Sequence, residues 1–497
     1  MRYRHPCAFG RLPHAILASL LIGGTAGAAG DARMRAIVYR EYGTTEVLHL
    51  EQIDKPVPKD DQVLVHVRAS SVNPLEWHYM RGTPYITRLS AGLLRPEEIR
   101  IGVDFAGVVE AVGKDVTRFK PGDEVFGGRT GALADYVVVR ESRAIALKPA
   151  NISFEQAAGV PIAAITALQG IRDVGKLQPG DKVLVNGASG GVGTFAVQIA
   201  KALGGEVTGV CSGRSADLVR SLGASRIIDY TREDFAAGEQ RYDVILDCVG
   251  NRALADYRRV LTPKGRLVLI GGGGTDEGNW VGPIARLLRA ALLSPFVSQK
   301  IGTLFAELNG KDLSTLADLM QSGKVTPVID RRYGLADVPR AIDYLEQGHA
   351  HGKVIISLDD APGPSPAPAT HAAAVSGPMD VLAPILVLVL GLGGPIAGSL
   401  ALNRRFRRLH PDKRSYRWGY YFGLQFFVIA VGIPLLIDAG VGPVLACAGV
   451  SALLAWAFAR RRRWAWLALT VLSLNPVAWL INFLYLRRRW AEDGQPA

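Results

Sequence analysis

One stretch of this chain leaves little freedom of fold: NGASGGVGTFAVQIAKALGGEVTGVCSGR, at Asn186–Arg214. The apolar segment KVLVNGA ends in a glycine turn, and the turn opens a helical run that continues to Leu203. A second apolar segment, GEVTGVC, follows at once. Glycines in such a turn let backbone N–H groups approach an anion closely, and the first turn of the helix adds a favourable dipole. Strand, glycine turn, helix and strand in this order make a dinucleotide site with the diphosphate on the turn. The contacts expected there are Ser189, Gly190, Gly191, Val192 and Gly193. Gly190 and Gly191 allow close approach, and Gly193 allows the helix to pack on the strand. Ala188 stands where the first glycine of GxGxxG would be.

The second segment ends without the carboxylate that would grip a ribose 2′-hydroxyl. Ser212, Gly213 and Arg214 come instead. A hydroxyl and a guanidinium can bind the 2′-phosphate that a carboxylate would repel, so NADPH is the expected cofactor.

Around this unit the rhythm of the chain changes several times. With 497 residues it exceeds what one core normally holds. Residues 1–33 carry Arg2, Arg4 and Arg11, an apolar stretch from Ala15 to Ile22, and then small residues. They form either a secretory signal or anchor, or a mis-assigned start upstream of Met34. Residues 34–153 show short β segments punctuated by Gly and Pro, the pattern of a compact β-rich domain. Residues 154–299 alternate apolar runs with amphipathic helices, which indicates a doubly wound parallel sheet. RIIDY, at Arg226–Tyr230, reads as a loop within it. Residues 300–358 offer two helical patterns and a last strand, KVIISL, and return the chain to the first domain.

Residues 359–379 form a Pro/Ala-rich linker, and 380–490 hold four apolar stretches of the roughly 20 residues a bilayer-crossing helix needs. Trp and Tyr at their ends and clustered Arg beside them favour membrane lipid as a partner. The net charge of +12 belongs largely to these flanks. No basic patch with interleaved aromatics lies in the first 360 residues, so nucleic acid is not an expected partner. Cys7, Cys211, Cys248 and Cys447 are scattered, with no metal-ligand spacing. With four spans, the Arg-rich loops at 403–417 and 460–463 share a side, and the positive-inside rule sets the enzyme outside. NADPH, however, is a cytoplasmic reductant. Cofactor supply is the harder constraint, so a multi-pass protein with a cytoplasmic-facing enzyme domain is expected, one stretch failing to span. The first, broken by GLGGPIAGS, and the last, with Asn475–Pro476 and Asn482, are the weakest.

The segments GASGGVGTFAVQIAKALG, SLGASRIIDYTRED, YDVILDCVG, LTPKGRLVLIGG, SSVNPLEWHYMRG and GVDFAGVVEAVG resemble the zinc-independent medium-chain dehydrogenases/reductases of the quinone oxidoreductase-like branch. The resemblance covers about Met34–Leu358. It implies an α/β fold: a GroES-like catalytic domain interrupted by a Rossmann domain, with the active site between them and, here, a helical transmembrane region appended. Zinc-dependent relatives carry Cys where Asn73 sits and His–Glu where Val103–Asp104 sits, so no metal is expected. The resemblance places Asn73 in the cleft and Thr166 against the nicotinamide. His78 stands where similar quinone reductases often have Tyr, and could donate a proton. Asp104 could equally be a structural turn carboxylate. Tyr230 would touch the 2′-phosphate, Val249, Gly250, Ile270 and Gly271 would line the cofactor, and Lys353 would close over it.

Without a metal, hydride must pass directly from the nicotinamide while hydrogen-bond donors polarise the acceptor carbonyl. Quinones and α,β-unsaturated ketones need least such help, and one of these is the expected substrate. A small-aldehyde reductase and a non-catalytic NADPH-binding membrane sensor are the alternatives, and a homodimer is left open.

Overall fold

The computed structural model describes residues 33–270 and 298–358, with Arg408 apart. The leader up to residue 32, Gly271, the linker and the four apolar stretches lie outside these residues, and with them the expected transmembrane region. Among the described residues no helix is long and apolar enough to cross a membrane.

The chain opens on an antiparallel pair, β1 (Arg33–Val38) and β2 (His49–Asp54). It continues through β3 (Gln62–Val72), β4 (Asp104–Val112), β5 (Glu124–Gly128), β6 (Tyr136–Arg140) and β7 (Ile145–Leu147). These join β14 (Ile329–Gly334) and β15 (Lys353–Ser357) in a seven-stranded sheet of order β14-β15-β3-β4-β5-β7, with β6 paired to β3. Residues beyond 329 thus complete a sheet begun before residue 75.

Between them lies a six-stranded parallel sheet: β8 (Lys182–Asn186), β9 (Glu206–Cys211), β10 (Arg226–Asp229), β11 (Tyr242–Asp247), β12 (Leu261–Ile270) and β13 (Lys300–Leu304). Its order, β10-β9-β8-β11-β12-β13, is that of a doubly wound nucleotide-binding sheet, and it reverses direction between β8 and β11. The continuous apolar runs of these strands follow from burial on both faces. Val183, Val185, Val244 and Leu246 pack into one core cluster, while Leu184, Ile245, Leu267 and Leu269 pack into another on the opposite face. The first of these clusters also takes in Ala69, Ala106, Phe126 and Ile355 of the other sheet.

Three segments differ from expectation. RIIDY is not wholly loop: Arg226–Asp229 is a strand paired parallel to β9. Lys300–Leu304 pairs with β12, so the parallel sheet ends beyond residue 300. Ile329–Gly334 is a strand paired parallel to β15, and all three are edge strands. An edge is covered on fewer sides and so does not require the long apolar run that marks a central strand.

Candidate active site

Register assembles the polar centre from three distant parts of the chain. Ser71 on β3 faces Asp104 at the start of β4, and Val354 on β15 faces Val72. Asn73, Asp104 and Lys353 therefore meet at neighbouring strand ends. Asp104 is wholly buried, and both its oxygens are engaged. Its Oδ2 accepts from Ser71 Oγ at 2.7 Å and from Asn73 Nδ2 at 3.0 Å, and lies 3.4 Å from Lys353 Nζ. Its Oδ1 accepts from the Ile162 backbone N–H at 2.9 Å. Ile162 follows Pro161 in the first turn of the Pro161–Gln169 helix, where backbone N–H groups lack helical acceptors and a negative charge is stabilised. The Lys353 ammonium also donates to Asn73 Oδ1, and only 3% of Lys353 is exposed. A charge so buried is tolerable only when paired and hydrogen-bonded.

Glu76 lies behind this group, in the first turn of the Pro74–Arg81 helix. Its Oε2 accepts from the Asn73 backbone N–H at 2.6 Å, while the buried Oε1 has no hydrogen-bond partner among the described residues. Burial first, and then the neighbouring Asp104 charge, push this carboxyl up from its ordinary 4.5 to about 8. It is therefore largely protonated at neutral pH. The sign for stability follows from a folded-state value above the unfolded one. The contribution is fully present below about pH 4.5 and is lost as pH rises toward 8, at about 1.4 kcal/mol per pH unit in between. Glu76→Gln mimics the neutral acid and should leave stability near pH 4.5 little changed while flattening this slope. Denaturant melts at pH 5 and 8.5 check it; an unaltered slope in the variant would show that Glu76 is not the group responsible.

Thr166 is buried one turn beyond Ile162, and its Oγ1 donates to the Ile162 carbonyl at 2.7 Å. The structure thus brings Asn73, Lys353 and the Thr166 helix to one carboxylate. His78 points elsewhere. Its half-buried ring donates from Nδ1 to the Thr83 carbonyl at 2.9 Å and packs beside Trp77. Burial lowers its pKa, partly offset by the Thr83 bond and by Glu346. No described contact joins it to Asn73, Asp104 or Lys353.

The glycine turn has the shape a diphosphate needs. The Gly191–Ala202 helix begins after Gly190, with no side chain capping it. A Cβ on Gly193 would stand 2.0 Å from the Gly187 carbonyl oxygen, so helix and turn touch backbone to backbone. At Gly190 a Cβ would meet nothing closer than 3.5 Å, leaving space in front of the turn. Val249 and Gly250 donate their backbone N–H groups to Asp247 Oδ1, at 3.3 and 3.1 Å, and Asn186 Nδ2 donates to the same oxygen at 2.8 Å. Those bonds hold the loop after β11 beside the turn. Ile270 ends β12 and packs against the core.

Ser212, Gly213 and Arg214 follow β9, and Arg214 and Tyr230 are exposed. A Cβ on the exposed Gly213 would lie 2.6 Å from Asp229 Oδ2, so a side chain there would displace that carboxylate. The Asp229 carboxylate accepts from Thr231 N and Oγ1, which hold it below its ordinary range, and Arg232 stands 3.7 Å away.

Sequence reasoning missed Ser71, Glu76 and Gly187. The missing first glycine of the fingerprint has its turn-making duty taken by Gly187, at φ +85°, a position where the L side chains are strained. A Gly next to the vacant motif position was the available signal. Nothing in the sequence marked Glu76 beyond its place three residues after Asn73. The donor set does not fit a zinc ion: among the described residues no three His, Cys, Asp or Glu side chains converge, and Asn73 and Asp104 surround an ammonium.

Residues 59–149 match the alcohol dehydrogenase GroES-like domain, and 222–356 match the family described as zinc-binding dehydrogenase. The NADPH-dependent alkenal/one oxidoreductase of Arabidopsis thaliana is 35% identical over 356 residues, covering 68% of this chain and 83% of that protein. The 2-methylene-furan-3-one reductase of Solanum lycopersicum is 35% identical over 340 residues, 65% of this chain and 79% of that one. Among solved structures, the quinone oxidoreductase of Coxiella burnetii superposes with a TM-score of 0.56 at 29% identity, covering 66% of this chain and 99% of its own.

Proposed function

Because the chain belongs to the medium-chain dehydrogenase/reductase family, we propose that it passes hydride from NADPH to a quinone or an α,β-unsaturated carbonyl without zinc. That it is an NADPH-dependent oxidoreductase follows from its relatives and its nucleotide-binding domain. The acceptor class is our inference, and the observation that carries it is the Lys353 ammonium held between Asn73 and Asp104.

When bound, NADPH supplies the hydride. Gly190, Gly191 and the N–H groups of the following helix would hold its diphosphate, and Ser212 and Arg214 its 2′-phosphate. Asp104 and Asn73 fix the Lys353 side chain, so an N–H is aimed before substrate arrives. A preorganised cation of this kind stabilises negative charge developing on an acceptor oxygen at little reorganisation cost. A single ammonium is a weaker electrophile than a divalent ion, so it suffices for acceptors that are already electron-poor and need least polarisation. The four apolar stretches at 380–490 support a tether that would give access to lipophilic acceptors. With NADPH supplied from the cytoplasm, we place the enzyme domain on that side.

The test is turnover by the purified full chain. Oxidation of NADPH with 1,4-quinones or enones, undiminished after a zinc chelator, is expected, together with retention of the chain in membranes through an alkaline wash. Tight NADPH binding without turnover would replace the enzyme by a sensor, activity confined to saturated aldehydes would move the substrate class, and release by the wash would remove the tether.

A further inference from the structure

Three consecutive residues, His351, Gly352 and Lys353, connect the loop after β9, the glycine turn and the polar centre. His351 Nδ1 lies 2.8 Å from Ser215 Oγ, which is 3.3 Å from Ser212 Oγ. The Gly352 carbonyl oxygen comes within 3.5 Å of where a Cβ on Gly191 would stand, so the backbone passes alongside the glycine turn. Lys353 then reaches Asn73 and Asp104. One short strap thus touches the 2′-phosphate loop, the diphosphate turn and the hydride pocket.

The strap is held stiffly. Gly352 has φ +108°, and a Cβ there would stand 2.5 Å from the Val328 carbonyl oxygen. Lys353 N donates to that same carbonyl at 2.8 Å. His351 N donates to Asp330 Oδ2 at 3.1 Å, and the Tyr344 hydroxyl donates to the same oxygen at 2.7 Å. On the other side, Ser215 is 2% exposed and its N–H donates to the Ser212 carbonyl at 2.9 Å. A displacement of the Ser212–Ser215 loop is therefore felt at His351, two residues from Lys353.

We propose that His351 is a positioning residue for cofactor choice: through Ser215 it fixes the Ser212–Arg214 loop for the 2′-phosphate, and through Gly352 it links that loop to the placement of the Lys353 ammonium. The inference rests on Ser212, Gly213 and Arg214 being the 2′-phosphate site. Its consequence is that NADPH differs from NADH in turnover as well as in binding, because only NADPH settles the strap at both ends.

The experiment compares wild type, His351→Ala, His351→Asn, Ser215→Ala and Arg214→Ala as full-length protein, with NADPH and NADH against one quinone. His351→Ala should lose about 10-fold of NADPH preference, the size of one hydrogen bond in a charged network, through both a higher KM and a lower kcat with NADPH. Its constants with NADH should stay within about twofold, since no 2′-phosphate is then involved. Ser215→Ala should reproduce this, and His351→Asn, which keeps a polar atom near the Nδ1 position, should restore most of it. An equal fall with both cofactors, or a change in KM alone, overturns the inference. Unchanged preference in His351→Ala also overturns it: loss in Arg214→Ala would then leave the phosphate site standing, and no loss there would remove that site too. Should His351→Ala fail to fold, Ser215→Ala and His351→Asn decide by the same ratios.

Discussion

Lys353→Met is expected to lower NADPH-dependent turnover by about 100- to 1000-fold, the usual cost of removing one preorganised donor from a site of developing negative charge. The methionine keeps the length and apolar character of the stem, which passes 3.4 Å from where a Gly191 Cβ would be, so cofactor affinity should change far less than kcat. The substitution also strands Asp104, wholly buried, without its cation, and breaking a buried pair in this way costs about 3–5 kcal/mol. Loss of activity could then reflect loss of fold. The double variant Lys353→Met/Asp104→Asn separates the two, because it removes the stranded charge while leaving Ser71 and Asn73 an amide to bond. It should recover most of the lost stability in a thermal melt and little of the turnover. Recovery of turnover along with stability would mean that Lys353 holds the site together and takes no part in the reaction.

The second large effect is expected at Gly193. Even a methyl group there would be placed 2.0 Å from the Gly187 carbonyl oxygen and 2.8 Å from the Ala188 Cα. Both are backbone atoms, so neither can swing away as a side-chain tip would. Gly193→Ala must push the helix off the turn, an overpacking cost of about 1–3 kcal/mol, and the displaced N–H groups no longer converge on one point. NADPH affinity, followed by fluorescence titration, should fall at least about 100-fold. Gly180→Ala is the contrast: it lies at φ +89° with nothing within 4 Å of the added methyl, so it strains backbone without blocking contact and should leave NADPH binding nearly intact. Similar losses in both would assign the effect to general destabilisation.

How much of this was legible beforehand depends on the range of the interactions. The glycine turn announces itself because strand, turn and helix are contiguous, and local chemistry dictates local shape. The parallel strands are legible for a related reason, since burial on both faces writes an unbroken apolar run such as Val183–Leu184–Val185. The edge strands Arg226–Asp229 and Ile329–Gly334 carry no such run and were obscure. The polar centre was the hardest part. Asp104 looks in sequence like one more turn carboxylate, and only the pairing of β3 with β4 and β15 shows that a lysine and a helix terminus converge on it. Glu76 becomes notable only once its burial is known. Gly187 shows the reverse: the motif appeared imperfect because the neighbouring residue had taken over its geometry.

The ammonium and its carboxylate are 249 positions apart, which has a consequence for synthesis. At about 5–20 residues per second on the ribosome, the Asp104 segment emerges well before the segment that will neutralise it. Until then, the growing polypeptide has every reason to keep that end of β4 hydrated and its partners apart. Release of a chain cut short before residue 353 should accordingly yield an unsettled product for quality control, not a folded but silent enzyme.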